Sequence, residues 1–379
     1  MRIGIDIRSL GEAHPGGVAM YTRNIVASLL QIDSDNEYIL FANAWGKPAT
    51  WSGSEPNVRL AASRWPNKIF HATQCFAHQP KLDRLCGGVD IFFMPNWNFA
   101  SLSRDCPLVL TVHDLSHVIY PNLLSRKRRW WHWFIGVRQL LNRADRIIAV
   151  SECTRRDLIE LCRVPEGKIS VVPSGLARPD RVPSENDVVN VLARLKFTQP
   201  YFLALNFLEP RKNTVALLEA FHRYRANGGR SQLVIVGQPS WQDKHLKILA
   251  QRLDLTSAVQ FAGYVSEPDK YCLLRGALAF VYPSVYEGFG FPPLESLACG
   301  TPVIMAHASS LPEVLGRQAL LVDPYNANEL ARALQAIEDQ PALRERLTRD
   351  SERLYARYQW SETARATLNI FKEIISPII

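Results

Sequence analysis

Two glutamates that are eight residues apart, Glu287 and Glu295, lie in the stretch of the chain that carries the most chemistry. This stretch, YPSVYEGFGFPPLESLACGTPVI (282–304), predicts the end of a strand, a turn, and a helix that begins near two prolines. The turn is formed by Gly288, Phe289 and Gly290. Glycines let a ligand approach the backbone, and free N–H groups at a helix start can bind hydroxyls or phosphate oxygens. The two carboxylates could hold the hydroxyls of one sugar-containing ligand from two sides. Alternatively, Glu287 is a solvated loop residue and Glu295 is an acid that complements the helix dipole.

A basic dipeptide and a glycine pair are candidate sites for phosphate. Arg211 and Lys212 stand in a short turn before a predicted helix, where their charges could neutralise a diphosphate without a metal ion. Gly16 and Gly17 precede another predicted helix, 18–30, and backbone N–H groups at such a position can meet a phosphate. Both features also have ordinary interpretations, as solvated surface charges and as a plain turn. The residues alone leave these alternatives open.

A histidine follows one of the apolar segments. His113 comes directly after 108–112, which predicts a buried strand. At the carboxyl end of a strand in a parallel sheet, His113 would point toward the edge where ligands bind. A single histidine at a strand end is more often structural, so this residue does not define a site by itself.

Short apolar segments between amphipathic stretches predict the strands of two parallel sheets. The first series comprises 2–7, 38–42, 90–94, 108–112 and 146–150, and the second comprises 201–205, 232–236, 277–281 and 302–305. The polar, proline-bearing segment 174–200 separates the two series and is predicted to contain a linker. We therefore predict an α/β protein of two domains, with a packed helix near the end of the chain at 361–374.

The overall composition agrees with two folded domains in a reducing compartment. A chain of 379 residues exceeds the size at which one hydrophobic core usually stops growing. The net charge is +8, of which +6 lies in residues 1–180, and this excess could attract nucleic acid, anionic lipid or a phosphorylated substrate.

The seven cysteines form no CxxC pair, which argues against disulfides and zinc and favours the cytoplasm. The N-terminus reads as a strand rather than a signal peptide, and the apolar runs are far shorter than the roughly 20 residues of a spanning helix, so a soluble or peripheral protein is expected.

The stretch 282–304 resembles the E-x7-E signature of the retaining GT-B glycosyltransferases of family GT4, in particular mannosyltransferase-like members. Segments similar to this family follow in the expected order along nearly the whole chain: GGVAMYTRNI (16–25), TVHDLS (111–116), AVSECTRRDL (149–158), VVPSGL (171–176), YFLALNFLEPRKNTVALLEAF (201–221), LVIVG (233–237), VQFAGYVS (259–266), CGTPVI (299–304), SSLPEV (309–314) and LLVDP (320–324). The order of these segments makes the resemblance far more specific than the glutamate pair alone.

The resemblance implies a GT-B fold, in which two Rossmann-like domains face a central cleft. Residues 1–178 would form the acceptor-binding domain, together with a C-terminal helix at about 360–379 that crosses back to it. Residues 199–359 would form the domain that binds the nucleotide sugar. The linker between the two domains is expected at about 179–198.

The resemblance also implies roles for individual residues. The catalytic residues would be His113, Glu287, Arg211 and Lys212. The donor would be bound by Gly16, Gly17, Arg211, Lys212, Gly237, Val265, Glu287, Gly288, Phe289, Gly290 and Glu295. In this scheme Glu287 holds the hexose, Glu295 holds the ribose, and His113 contacts a sugar hydroxyl near the reacting carbon. Many relatives carry an arginine five positions before the lysine, where this chain has Phe207, so Arg211 would take over that role.

A retaining reaction is expected to be a front-face substitution, because the sequence supplies no obvious nucleophile. The leaving diphosphate would accept the proton of the acceptor. No DxD-like carboxylate pair is in a suitable place, and no metal or other cofactor is expected. The LEPRKN turn (208–213) looks like that of bacterial transferases that build surface polysaccharides. GDP-mannose is therefore the first choice of donor and a UDP-hexose the second, with a saccharide or a polyprenyl-diphosphate-linked oligosaccharide as acceptor.

Two other classes of protein stay open. A sugar-nucleotide epimerase of the same fold would need no acceptor, and a nucleic-acid-binding protein would exploit the positive charge and show strongly salt-dependent affinity. The position of the candidate residues at strand ends argues against both, and no nucleic-acid partner is expected.

The segment from Arg126 to Arg146, RKRRWWHWFIGVRQLLNRADR, combines four consecutive basic residues with three tryptophans. Helices at membrane interfaces mix aromatic residues and positive charge in this way, and a lipid-linked acceptor would bring the enzyme to an anionic membrane. The alternative is a core-packed helix with a solvated basic start. We predict peripheral contact of this segment with the inner face of the plasma membrane.

Overall fold

The computed structural model describes residues 1–11, 16–45, 49, 51, 53, 55–124, 126–177, 179, 181–205, 209–237 and 243–376. The chain divides into two compact units. The first, called here the N-terminal unit, consists of Met1–Gly175 and Tyr358–Ile379. The second, the C-terminal unit, is Leu176–Arg357.

Within the described residues, the N-terminal unit is built on a seven-stranded parallel sheet. Its strands are β1 (Arg2–Asp6), β2 (Glu37–Asn43), β3 (Val58–Ser63), β4 (Ile91–Met94), β5 (Leu108–Val112), β6 (Arg146–Ala149) and β7 (Ile169–Val171), in the order β3-β2-β1-β4-β5-β6-β7. In the register of the sheet, Ile5 of β1 lies beside Leu40 of β2 and Phe93 of β4. The central strands are buried along almost their whole length, which explains their continuous apolar sequences. The strand order reverses between β1 and β4, and ligands of open α/β sheets bind beyond the carboxyl ends of the strands at such a point.

The helices that cover this sheet are α1 (Gly17–Ile32), α2 (Asn67–Ala72), α3 (Leu82–Leu85), α4 (Ser116–Ile119), α5 (Arg126–Ile135), α6 (Val137–Arg143) and α7 (Glu152–Cys162). Helix α1 buries Tyr21, Ile25 and Leu29, which recur at helical spacing and lie on one side of the helix. Ser151 caps the start of helix α7, because its hydroxyl accepts a hydrogen bond from the N–H of Thr154 at 3.1 Å.

The described part of the C-terminal unit contains a six-stranded parallel sheet. Its strands are β8 (Tyr201–Leu205), β9 (Gln232–Val236), β10 (Val259–Gly263), β11 (Ala279–Tyr282), β12 (Val303–Ala306) and β13 (Leu320–Val322), in the order β10-β9-β8-β11-β12-β13. Its helices are α8 (Glu185–Leu195), α9 (Thr214–Ala226), α10 (Asp243–Arg252), α11 (Glu267–Gly276), α12 (Phe291–Ala298), α13 (Leu311–Leu315), α14 (Ala327–Asp339), α15 (Pro341–Thr348) and α16 (Glu352–Arg357). The strand order reverses between β8 and β11, so the turns that follow these two strands meet at the ligand-binding edge.

The segment 179–198 differs from the linker that its composition predicts, because it contains helix α8. A capping box starts this helix: Ser184 accepts a hydrogen bond from the N–H of Asp187, and the Asp187 carboxylate accepts one from the N–H of Ser184. The apolar side of α8 is buried, and Arg194 near its end pairs with Asp269 of α11 at 2.5 Å. This segment is therefore part of the packed C-terminal unit.

The last helix, α17 (Trp360–Ile375), belongs to the N-terminal unit and packs against α1. The hydroxyl of Thr363 donates to the carbonyl of Pro173 at 2.8 Å. A Cβ atom on Gly175 would lie 2.5 Å from the Trp360 ring, so this close approach requires glycine. The two ends of the described chain are thus packed in the same unit.

Candidate active site

The carboxylate of Glu287, in the loop after β11, is surrounded by hydrogen-bond donors. Its Oε1 atom accepts hydrogen bonds from Ser284 Oγ at 2.6 Å, Lys212 Nζ at 2.7 Å and the hydroxyl of Tyr282 at 2.9 Å. Its Oε2 atom lies 2.6 Å from a terminal nitrogen of Arg211. Only 7% of the residue is exposed. Two cations and two hydroxyl groups therefore hold a buried carboxylate in one orientation.

The surroundings of Glu287 keep it ionised. Burial opposes ionisation, but Arg211, Lys212 and the hydrogen bonds of Lys212 and Ser284 lower the pKa of Glu287 to about 2. Burial also raises the pKa of Tyr282 well above its ordinary value, so its phenol remains a hydrogen-bond donor. Glu287 is consequently a constant hydrogen-bond acceptor at neutral pH and too weak a base to take up a proton.

Arg211 and Lys212 lie in a short 3₁₀ turn, Pro210–Lys212, that is joined to the Glu287 loop. The carbonyl of Arg211 accepts a hydrogen bond from the N–H of Val285 at 3.0 Å. The guanidinium of Arg211 donates to the carbonyl of Tyr286 at 2.7 Å. Lys212 is only 7% exposed, so it is not a solvated surface charge. Burial lowers the pKa of Lys212, and the charge of Glu287 opposes this shift. Phe207, in the place of the arginine of many relatives, lies outside the described residues.

Glu295 occupies a different environment on helix α12. Its Oε2 atom lies 2.9 Å from Nζ of Lys270, which also pairs with Glu267 at 2.8 Å. Burial opposes the charge of Lys270, but the Glu295 and Glu267 carboxylates together outweigh burial and raise the pKa of Lys270. The side chain of Glu295 is 16% exposed. The two glutamates of the signature are thus held by separate cations, and Glu295 is the more accessible one.

The glycine-rich turn between the two glutamates is buried and sterically constrained. Gly290 has a φ of 99°, and a Cβ atom there would lie 2.8 Å from the side chain of Leu311, so both conformation and space require glycine. Phe289 is buried and packs edge-to-face on Phe291, with ring centroids 5.3 Å apart. The two prolines in the first turn of α12 have no N–H, which leaves this helix start fewer free donors than an ordinary one.

Two further predicted donor-binding residues follow neighbouring strands. Gly237 comes after β9, and its N–H donates to the carbonyl of Gly263 at 2.9 Å, so this donor is already used within the fold. Gly237 lines a cavity of about 180 Å³ together with Lys247 and Phe261. Val265 follows β10 and is half-buried.

In the N-terminal unit, the predicted glycine pair starts helix α1. Gly16 is the N-cap residue with a φ of −90°, and Gly17 is the first helical residue. A Cβ atom on either residue would meet no atom within 4 Å. Neither residue is among those with positive φ. The described fold therefore does not itself require glycine here, and residues 12–15 lie outside the described ranges.

His113 follows β5, as predicted, and its ring is held in place. Its Nε2 atom lies 2.8 Å from the carbonyl oxygen of Pro95, and its ring packs edge-to-face with Tyr21 at 4.6 Å. Burial lowers the pKa of His113, against the hydrogen bond to Pro95 and the charge of Asp114. Because a carbonyl only accepts, Nε2 carries the proton and the neutral ring presents Nδ1 as an acceptor.

Four exposed aromatic side chains form a cluster on the N-terminal unit, called here the aromatic cluster: Phe76, Trp130, Trp133 and Phe134. Their ring centroids are 4.9 to 6.2 Å apart. Phe76 and Trp133 are 73% and 70% exposed. Trp131 turns the other way and packs against Phe99. Helix α5 is therefore only partly packed on the core.

The described ranges contain neither a metal-binding group of side chains nor a membrane-spanning helix. No three His, Cys, Asp or Glu side chains in those ranges form a group that could hold a metal ion. A helix with the length and apolar character to cross a membrane is likewise not found among them.

Comparison with known proteins shows the family. The family model described as Glycosyltransferase Family 4 matches residues 15–177, and the model Glycosyl transferases group 1 matches residues 193–353. The O-antigen chain mannosyltransferase B of Escherichia coli is 32% identical over 268 residues, which are 70% of each chain. A serotype-specific mannosyltransferase of the same species is 25% identical over 274 residues, but this chain spans only 33% of that protein. The solved structure of sucrose-phosphate synthase from Thermosynechococcus elongatus matches with a TM-score of 0.75 and 21% identity over 100% of both chains.

The two parallel-sheet units define an α/β enzyme of the GT-B type, which confirms the predicted fold class. The chain belongs to Glycosyltransferase Family 4, as its sequence motifs predict, and it is a glycosyltransferase.

Proposed function

We propose that this glycosyltransferase moves mannose from GDP-mannose to a saccharide acceptor with retention of the anomeric configuration, in the synthesis of a bacterial surface polysaccharide. The observation that carries the proposal is the buried, ionised Glu287 beside Lys212 and Arg211. The carboxylate can accept hydrogen bonds from sugar hydroxyls, and the two positive charges beside it suit a diphosphate. The names of the two mannosyltransferase relatives support mannose as the sugar.

The residues take the following roles in this proposal. Glu287 accepts hydrogen bonds from the hexose, and the Lys212 and Arg211 charges stabilise the leaving diphosphate. Glu295 binds the ribose hydroxyls through its more accessible carboxylate. His113 accepts a hydrogen bond from a sugar hydroxyl at Nδ1. The donor site is completed by the backbone groups of seven further residues: Gly16, Gly17, Gly237, Val265, Gly288, Phe289 and Gly290.

The two units divide the substrates between them in the proposal. Residues 1–178 with the C-terminal helix at about 360–379 bind the acceptor, and residues 199–359 bind the nucleotide sugar. The openness of Gly16 and Gly17 supports a ligand role for that turn, because nothing in the described fold demands glycine there.

The chemical step is a front-face substitution. The bond from the anomeric carbon to the acceptor oxygen forms on the face from which the bond to the diphosphate oxygen breaks. The proton of the acceptor hydroxyl goes to the leaving diphosphate, because Glu287, with a pKa of about 2, is too weak a base for it. The protein contributes orientation and charge stabilisation, and no metal ion takes part in this scheme.

A panel of nucleotide sugars tests the donor. GDP-mannose should raise the melting temperature and be cleaved, and the anomeric proton signals of the product should match those of the donor configuration. If the enzyme cleaves a UDP-hexose and not GDP-mannose, the donor is the UDP-hexose. Conversion of a donor to another sugar nucleotide without any acceptor would instead identify an epimerase.

Two variants test the glutamate assignments. Glu287→Ala should lose transfer and still bind free GDP, whereas Glu295→Ala should bind GDP more weakly, as measured by calorimetry. Glu267→Ala is the matched control, because it also removes a partner of Lys270 but has no proposed ligand contact. GDP affinity equal to that of the wild type in Glu295→Ala would rule out the ribose assignment.

We also propose that the enzyme is peripheral to the inner face of the plasma membrane and acts there on a polyprenyl-diphosphate-linked acceptor. The aromatic cluster supports this proposal, because three of its exposed rings, Trp130, Trp133 and Phe134, lie on helix α5, which begins with four basic residues. Trp130→Ala/Trp133→Ala should sediment less with phosphatidylglycerol vesicles than the wild type. The control is Tyr325→Ala, which removes a 74% exposed ring from the C-terminal unit. Equal sedimentation of the double variant and the wild type would refute membrane contact by this cluster.

A further inference from the structure

Two consecutive serines, Ser309 and Ser310, bind both backbone polar groups of Glu287. They lie between β12 and α13, on a loop next to the one that carries Glu287. The N–H of Glu287 donates to Ser309 Oγ at 2.8 Å, and the hydroxyl of Ser310 donates to the Glu287 carbonyl at 2.9 Å. Ser310 is completely buried. The position of the Glu287 backbone is therefore tied to a second loop.

The backbone of Ser309 adopts a conformation that serine rarely adopts. Its φ is 50°, in the left-handed region that favours glycine. Glycine would take this conformation without strain, but it has no hydroxyl to accept the N–H of Glu287. Strained residues of this kind persist where the surrounding structure holds them, and they cluster at functional sites.

Only one carboxylate oxygen of Glu287, Oε2, has room for a further hydrogen bond. Its Oε1 atom already accepts three hydrogen bonds, which use the acceptor capacity of that oxygen. A sugar hydroxyl must therefore approach Oε2, on the side of Arg211. The direction of Oε2 depends on the position of the Glu287 backbone as well as on the side chains that hold the carboxylate. The two serine contacts hold this backbone through both of its polar groups.

We propose that Ser309 and Ser310 are positioning residues that aim Oε2 of Glu287 at the donor sugar. The inference rests on the proposed role of Glu287 in holding the hexose. A misplacement of about 1 Å in a reacting geometry can lower the rate about 10²-fold. Loss of either serine hydroxyl should thus lower kcat, while affinity for the nucleotide part of the donor should stay unchanged.

Ser309→Gly separates a positioning role from a purely structural one. Glycine suits the φ of 50°, and this relief offsets the lost hydrogen bond, so the melting temperature should stay close to that of the wild type. A positioning role predicts that kcat for transfer falls at least about ten-fold with an unchanged Kd for GDP. A wild-type kcat in this variant would overturn the inference, because a structural role alone allows full activity in a stable protein.

Ser310→Ala provides an independent measurement. It should show the same split, with a lower kcat and an unchanged Kd for GDP. Ser296→Ala is the control, because Ser296 is an equally buried serine that donates to the carbonyl of Thr301 and not to Glu287. Glu287→Ala is measured in parallel. If it retains transfer, the proposed function of Glu287 fails; if it loses transfer while both serine variants keep the wild-type kcat, only the positioning inference fails.

Discussion

Replacing Glu287 by glutamine removes a negative charge while keeping the length of the side chain, and the structure indicates how much stability this removes. The pKa of Glu287 is about 2 in the folded protein, against an ordinary value of 4.5. At about 1.4 kcal/mol per pH unit, this difference corresponds to about 3 kcal/mol of folding free energy at neutral pH. The variant also leaves Lys212 buried without the negative charge of Glu287. Removing one partner of a buried ion pair typically lowers the free energy of unfolding by about 3–5 kcal/mol. We expect Glu287→Gln to lose about 3 kcal/mol at pH 7.

The loss should depend on pH in a defined direction. A carboxyl group whose pKa is lowered by folding stabilises the protein above its ordinary pKa, and this stabilisation disappears as the pH falls toward the folded pKa. For Glu287 the window runs from 4.5 down to about 2. The stability difference between wild type and Glu287→Gln should therefore be constant from pH 7 to about 5 and shrink below that.

Urea unfolding at several pH values measures this difference. Glu287 belongs to the C-terminal unit, so the unfolding transition of that unit should move. Glu209→Gln is the control, since Glu209 lies 3.5 Å from the same arginine, Arg211, but its side chain is 42% exposed. Equal stability of Glu287→Gln and wild type at pH 7 would refute the reasoning, and so would a difference that is just as large at pH 3.

Three further substitutions have defined outcomes. Gly17→Ala should leave the melting temperature unchanged, because a Cβ meets open space, but should lower transfer if this turn contacts substrate; both are measured on the same preparation. Tyr282→Phe removes one of three donors to Oε1 of Glu287 and should cost about 1 kcal/mol or more in urea unfolding. Gly290→Ala should destabilise the protein more than Gly17→Ala in thermal unfolding, because it combines a φ of 99° with a contact of 2.8 Å to Leu311.

The buried strands could be predicted from the sequence because parallel strands with helices on both faces are continuously apolar. Strand β1 illustrates this, since four of its five residues are buried. The edge strand β3 has no such signal, because all of its residues are partly or fully exposed, and β7 has only three residues. Helix α8 was missed since its surroundings are polar and rich in proline, although Ser184 and Asp187 carry the spacing of a capping box.

The site could be predicted only in part, because sequence spacing identifies residues and not their partners. Glu287 and Lys212 are 75 positions apart, and only the meeting of the turns after β8 and β11 brings them into contact. Ser284 lies three residues before Glu287, but its hydrogen bond depends on the path of the loop. Lys270 has a local partner in Glu267 at helical spacing, whereas its pairing with Glu295 has no local signal.

The two glutamates look equivalent in the sequence, but their surroundings predict different responses to substitution. Glu295 shares Lys270 with Glu267, so Glu295→Ala leaves that cation with one carboxylate, and the stability loss should be well below that of Glu287→Gln. The same variant should bind GDP more weakly, because the accessible carboxylate is the one proposed to meet the ribose. Urea unfolding and calorimetry on one preparation compare the two effects. A stability loss as large as that of Glu287→Gln, with unchanged GDP affinity, would make Glu295 a structural partner of Lys270 instead of a ligand of the donor.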